Sequence, residues 1–168
     1  NWATPQTVTV TAVDDPRVEA TNHTGTVTMS ATGDAQYSVL VPADQSIDIT
    51  DNDTPGVSVT PLTITATEGG ATGSYDVVLT AQPIGNIVIT AAPDAQVTLA
   101  PAVLTFTNAN WNTPQTVTVT AVDDPIDEAT THVGTVTHTA DTTADPLWAA
   151  LAPVPAVNVD ITDNDTAG

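Results

Sequence analysis

An all-β fold, built of antiparallel sandwiches in tandem, is what this 168-residue chain predicts, and three observations lead there. Apolar and polar residues alternate with period two in every regular stretch. Thr and Val dominate those stretches, and β-branched side chains suit a pleated surface with valine toward a core and threonine toward water. Early sequence also returns nearly letter for letter: NWATPQTVTVTAVDDPRVEA at Asn1 answers to NWNTPQTVTVTAVDDPIDEA at Asn110, and ITDNDTPG at Ile49 to ITDNDTAG at Ile161. The repeat of about 110 residues is the size of a small domain and far exceeds a solenoid coil.

Taken in order, the complete unit from Val57 to Gly168 reads as seven strands: 57–66, 74–81, 86–92, a segment broken at Pro101 and ending in 104–107, 115–123, 132–140 and 156–163. Between them stand the turn clusters EGGATG, AQPIGN and TNANWNTP, whose Gly, Pro and Asn residues supply the backbone angles that reversals need. One buried face per sheet means a sandwich, and seven strands in about 110 residues make it immunoglobulin-like. Residues 1–56 match only the second half of a unit, its fifth to seventh strands, with Val8, Val10 and Ala12 in the fifth. Three strands leave an apolar face and an open edge. Either the chain is a window on a longer polypeptide, or a neighbouring chain donates the missing strands as in a strand-complemented filament.

Twenty acidic residues face one base, Arg17, and the net charge of −19 excludes nucleic acid and anionic membrane as partners. There is no cysteine, so no disulfide staples the domains, and no apolar run is long enough to insert in a membrane. The chain opens inside a repeat motif, so export information is expected outside these residues. No constellation suits catalysis: Cys and Lys are absent, and the carboxylate pairs lack an apolar cleft to raise one pKa.

If strands alternate in direction, the first, third, fifth and seventh end at one pole, and nearly all the charge of the unit follows those ends. Glu68 follows the first, Asp94 the third, Asp123, Asp124, Asp127 and Glu128 the fifth, and Asp163 and Asp165 the seventh. Each carboxylate pair about 5 Å apart costs about 1–3 kcal/mol at an effective dielectric near 20–80. A divalent cation would reverse that sign. Hard oxygen ligands without His or Cys select calcium over zinc or copper, and calcium takes about 6–8 of them. A second full strand between Gln96 and Thr107 would send the fifth strand the other way and scatter the cluster.

These residues resemble the Calx-beta family, the β-sandwich repeat of sodium/calcium exchangers, integrin β4 and many bacterial surface proteins. In that family a Glu-Gly pair, an Asp after the third strand, an Asp-Asp…Glu loop and a terminal Asp-rich triplet bind calcium. The resemblance implies Ca2+ ligands at Glu68, Asp94, Asp123, Asp124, Glu128, Asp163 and Asp165, and in the earlier copy at Asp14, Asp15, Glu19, Asp51 and Asp53. The middle of the triplet, often Asp in the family, is Asn164 here and Asn52 in the earlier copy. The NW-TPQTVTVTAVDD wording is similar to that of very long secreted bacterial repeat proteins and adhesins, which implies an extracellular or cell-surface spacer whose partners are calcium ions, neighbouring repeats and neighbouring chains of a fibre.

Other readings stand beside this one. The acidic pole could be solvated surface of a halophile-like protein, and TVTVTAV is reminiscent of ice-binding faces, though a twisted sandwich lacks their flat array. A ligand-binding module for carbohydrate or a host protein would use the variable loop around Trp148, and a calcium sensor would need a large shape change. Trp2, Trp111, Tyr37 and Trp148 read as core plugs. His23, His132 and His138 are assigned no chemistry, and the Asn-x-Thr sequons at Asn22, Asn52 and Asn164 are too short a signal to assign glycosylation.

Overall fold

In the computed structural model, which describes residues 3–166, eleven strands form three sheets, and the core sits between two of them. Trp2 lies outside the described residues. The four-stranded sheet has the order β3 (Val57–Thr60), β5 (Gly73–Leu79), β9 (Gln115–Ala121), β7 (Val97–Ala100). The five-stranded sheet has the order β4 (Thr63–Thr67), β11 (Val157–Thr162), β10 (Thr131–Asp141), β6 (Ile87–Pro93), β8 (Val103–Phe106). The period-two pattern does the sorting. Tyr75, Val77 and Leu79 on β5 and Val117, Val119 and Ala121 on β9 are buried against Ile87, Ile89, Phe106, Val136, Val157, Val159 and Ile161 of the facing sheet. The intervening threonines of β9 point to solvent. This is an immunoglobulin-like antiparallel sandwich.

The first strand of the sequence reading is split in the structure, and the fourth, expected to break at Pro101, does so. The first becomes β3 and β4, parted at Pro61, and the fourth becomes β7 and β8, parted at Pro101. In both cases the two pieces pair in different sheets. Proline lacks the N–H that would continue a ladder, so the chain leaves one sheet there and joins the other. The split of the fourth strand does not reverse the fifth. Val97 at the start of β7 lies opposite Ala121, and Phe106 at the end of β8 lies opposite Ile87 at the start of β6, so β7 and β8 are one passage in one direction. Alternation therefore survives. β4 runs parallel to β11, with Thr67 beside Thr162, which brings the ends of the first and last passages together.

The third sheet is a hairpin ladder of β1 (Asn22–Val27) and β2 (Gln45–Thr50), in the register that β10 and β11 use in the complete unit. The expected fifth strand of this earlier copy does not form. Residues 5–15 are not in a strand, and Val8, Val10 and Val13 are exposed. A strand needs a neighbour to satisfy its N–H and C=O groups, and among the described residues no counterpart of β5 or β7 lies beside it. The loop that follows these residues instead docks on the second unit. Gln82 N–H donates to Pro16 C=O at 2.7 Å and Val18 N–H to Gln82 C=O at 3.3 Å, and the Val18 side chain enters the core cluster of the sandwich.

Candidate metal centre

Glu68 is the residue around which the acidic pole is built. Its N–H donates to Thr162 C=O at 3.1 Å, which extends the β4–β11 ladder by one step and fixes the side chain beside the exit of β11. Gly69 follows with φ +58°, a conformation that glycine adopts without strain. A Cβ there would also lie 2.9 Å from Asn164 Nδ2 and 3.2 Å from Asp123 Oδ1, so the Glu-Gly pair is needed for the loops to close over each other. Asn164 Nδ2 donates to Glu68 C=O at 3.0 Å and to Asp123 Oδ1 at 3.2 Å, which ties three loops together. The asparagine in the middle of the triplet is thus a clasp between carboxylates.

The side chain of Glu68 is buried, at 4% exposure, and its Oε2 has no hydrogen-bond partner. Asp165 Oδ2 is likewise buried and unpartnered. Oxygens of Glu68, Asp163 and Asp165 all lie within 4.8 Å of one another. Burial pushes the Glu68 carboxyl up, with the Asp163 charge adding to it, and burial followed by Asp163 pushes Asp165 up. Asp163 is held low instead, chiefly by the N–H of Asp165, and it also accepts from Glu128 N–H at 2.9 Å. These two N–H bonds fix the charged form of Asp163 at the centre of the group.

The remaining sequence-predicted ligands are placed less uniformly. Asp94 is exposed, and its two oxygens accept from Gln96 N–H at 3.0 Å and Thr135 N–H at 2.6 Å, so it braces β10 from the rim. Gln96 Nε2 reaches Glu128 Oε1 at 3.5 Å. Asp123 is exposed, and Asp124 is half-buried with Oδ1 accepting from Ile126 N–H at 2.9 Å. Asp127, Glu128, Asp163 and Asp165 line one cavity of about 410 Å³. The structure brings together Glu68, Glu128, Asp163 and Asp165 closely, with Asp123 joined through Asn164, and leaves Asp94 and Asp124 at the edge.

His132 is the residue that sequence reasoning passed over. Its Nε2 stands 3.0 Å from Glu128 Oε2 and 3.4 Å from Glu68 Oε1, and the three form a compact group. The available signal was the Glu-x-x-x-His spacing present in both copies, at Glu19 and His23 and again at Glu128 and His132. His138, by contrast, is structural: its Nε2 pairs with Tyr75 OH at 2.8 Å and its Nδ1 with Pro155 C=O at 2.7 Å.

The earlier copy reproduces half of this wiring. Asp51 Oδ2 accepts from Glu19 N–H at 2.8 Å, Asp51 Oδ1 from Asp53 N–H at 3.2 Å, and His23 Nε2 lies 3.3 Å from Glu19 Oε2. Asp51 is held low, first by the Glu19 N–H, and Asp53 is pushed up, first by burial. Among the described residues no counterpart of Glu68 or Asp94 stands beside them, and Asp14 and Asp15 are exposed. This is a half-site.

Trp148 belongs to the core. It lies in a 3-10 turn (Pro146–Ala150) capped by Asp145, is fully buried, and is therefore no platform for a sugar. Trp111 packs half-buried against the same core, while Tyr37 is exposed in the incomplete copy.

No family model matches the chain, and no curated protein matches it. Solved structures match part of the chain at low identity. An apo-form Calx CBD1 domain is 15% identical with a TM-score of 0.48, over 66% of this chain and 98% of that one. The periplasmic chaperone SfaE is 13% identical with a TM-score of 0.48, over 67% of this chain and 59% of that one, so the chain spans less than two thirds of the chaperone's length. Domains 4 and 5 of the S-layer protein SbsC are 16% identical with a TM-score of 0.37, over 70% of this chain and 59% of that one.

Proposed function

We propose that this chain is a calcium-braced spacer from a Calx-beta-like repeat array, serving a long extracellular bacterial surface fibre or adhesin and carrying no catalytic role. One observation carries the reading: a carboxylate at 4% exposure, Glu68, keeps one oxygen unpartnered and stands within 4.8 Å of Asp163 and Asp165 oxygens in a unit that contains no Lys or Arg. A buried unpaired charge is costly, and a cation bound among these oxygens removes the cost. The donors are oxygens in sufficient number for a hard ion, so the group fits calcium, with Glu68, Asp163 and Asp165 as its centre and Asp123 close by. Calcium supplies the positive charge and ties the loops after β4, β9 and β11 to one point.

The mechanical consequence lies at the junction between units. In the earlier copy the Asp-Asp…Glu loop carries Glu19 on the half-site and Val18, one residue before it, in the core of the next sandwich. Asp51, Asn52 and Asp53 line a cavity of about 390 Å³ together with Leu147 and Ala150 of that sandwich. Ordering that loop by an ion orders the docking residue with it, which stiffens one unit against the next. Among the described residues no helix is long and apolar enough to cross a membrane.

The test is thermal unfolding of the 168-residue chain in millimolar calcium, in magnesium and in chelator. A calcium-specific rise in Tm, lost in Glu68→Gln, supports the spacer. An equal Tm in all three means that the acidic pole is solvated surface and removes calcium from the account.

A further inference from the structure

The group formed by Glu68, Glu128 and His132 differs in kind from the all-oxygen group beside it. It mixes one imidazole nitrogen with two carboxylates, and it is assembled from three segments: the end of β4, the loop after β9 and the start of β10. Donors about 2.0–2.1 Å from one ion stand about 2.8–3.0 Å apart in octahedral and about 3.3–3.4 Å apart in tetrahedral geometry. The separations from His132 Nε2, 3.0 Å to Glu128 and 3.4 Å to Glu68, match those ranges.

Two further observations favour an ion over a plain imidazolium–carboxylate pair. His132 Nε2 is buried and lies close to both carboxylates, yet it is aligned for a hydrogen bond to neither. Glu68, whose side chain is only 3% exposed, presents its Oε1 to that nitrogen at 3.4 Å. A nitrogen and two carboxylate oxygens that converge without bonding one another leave a position at which a fourth atom satisfies all of them.

We propose that Glu68, Glu128 and His132 form a second metal subsite, which takes a first-row divalent transition ion of the zinc class. Imidazole nitrogen suits such ions, whereas calcium prefers oxygen. The two subsites share Glu68, so the pole discriminates between ions by which partner Glu68 joins: Asp163 and Asp165 for a hard ion, Glu128 and His132 for a borderline one. The subsite shares a residue with the calcium reading but does not rest on it. The earlier copy has Glu19 and His23 at 3.3 Å without a third ligand among the described residues, which therefore hold one such subsite.

Calorimetric titration of the 168-residue chain with Zn2+ and separately with Ca2+ tests this, with His132→Gln, Asp165→Asn and His23→Gln as variants and circular dichroism to check their folds. The expected result is one zinc ion per chain, weakened at least about tenfold by His132→Gln and left unchanged by His23→Gln. His132→Gln should leave calcium-dependent stabilisation in place, and Asp165→Asn should weaken calcium more than zinc. In the unmutated chain, Co2+ should give visible absorption characteristic of nitrogen ligation and should broaden the His132 ring signals in NMR spectra. Absence of zinc binding, zinc binding indifferent to His132→Gln, or unbroadened His132 signals overturns the subsite. Calcium failing while zinc succeeds overturns the spacer's calcium brace and leaves this subsite standing.

Discussion

The sequence TPQTVTVTAVDDP occurs twice, at residues 4–16 and 113–125, and it has two structures. The later copy forms β9, with Val117 and Val119 fully buried between β5 and β7. The earlier copy forms no strand among its described residues, and Val8 is 79% and Val10 49% exposed. Local propensity is identical, so the difference comes entirely from what lies alongside. A strand is stabilised by its cross-strand pairs and by burial of one face, and the later copy has both while the earlier has neither.

The same contrast holds for the acidic poles. Both copies wire the loop after the fifth strand to the terminal triplet through N–H bonds onto one aspartate, Asp51 or Asp163. Only the later copy has a buried carboxylate, Glu68, from the first half of the unit. Loop geometry is thus encoded within each half, and closure of the carboxylate cluster requires both halves.

The sharpest way to break this comparison is one substitution made in both copies. Val119→Asp should cost about 4 kcal/mol or more, because it buries an unpaired charge in the core, and should unfold the sandwich in thermal melts. Val10→Asp, at the equivalent position, should change stability by less than about 0.5 kcal/mol. Equal effects would mean that the earlier copy also packs its valines.

Supplying the missing neighbours should convert one structure into the other. Joining a second copy of residues 57–109 ahead of Asn1 should draw residues 6–12 into a strand, seen as new amide-exchange protection at Val8 and Val10. Protection that stays absent would refute the view that neighbours alone separate the copies.

Calcium gives a smaller but specific contrast. At a free concentration about a hundred times Kd, it should stabilise the complete unit by about 2.7 kcal/mol. Glu68→Gln should abolish that gain, whereas Glu19→Gln in the half-site should leave most of it. Matching losses would mean that the half-site is as competent as the whole.

The smallest effect concerns a bond that joins the two sheets of the complete unit. Burial pushes Tyr75 up to about 12 and, as the leading cause, pushes His138 below its ordinary value of 6.5. The neutral pair therefore stabilises the fold between those limits. Stability should fall as pH rises from about 10 toward 12, where only the unfolded state loses the Tyr75 proton, and as pH drops below about 6.5, where the unfolded state gains the His138 proton. Tyr75→Phe should cost about 1 kcal/mol at neutral pH and abolish the alkaline decline. An unchanged alkaline limb in that variant would assign the decline to other groups.

Much of the site was legible in the sequence because it rests on direction. Alternating passages place the ends of the first, third, fifth and seventh at one pole, and the charges at Glu68, Asp123, Glu128, Asp163 and Asp165 follow those ends. His132 was not legible as a partner, since its role depends on the parallel β4–β11 pairing that brings Glu68 across to the start of β10. Asp94 was legible as pole charge but not as a brace, because its oxygens are occupied by N–H groups of Gln96 and Thr135.

The sequence by itself determined the period-two strands, the recurrence of the TPQTVTVTAVDDP and ITDNDT motifs and the gathering of carboxylates at one end. Each follows from local alternation, direct comparison and chain direction. Tertiary structure decided where Pro61 and Pro101 pass the chain between sheets, which copy of TVTVTAV becomes a strand, that Trp148 is core, and that a histidine joins the acidic pole. Those outcomes depend on contacts between residues far apart in the chain, and a strand or a buried charge takes its energy from such neighbours.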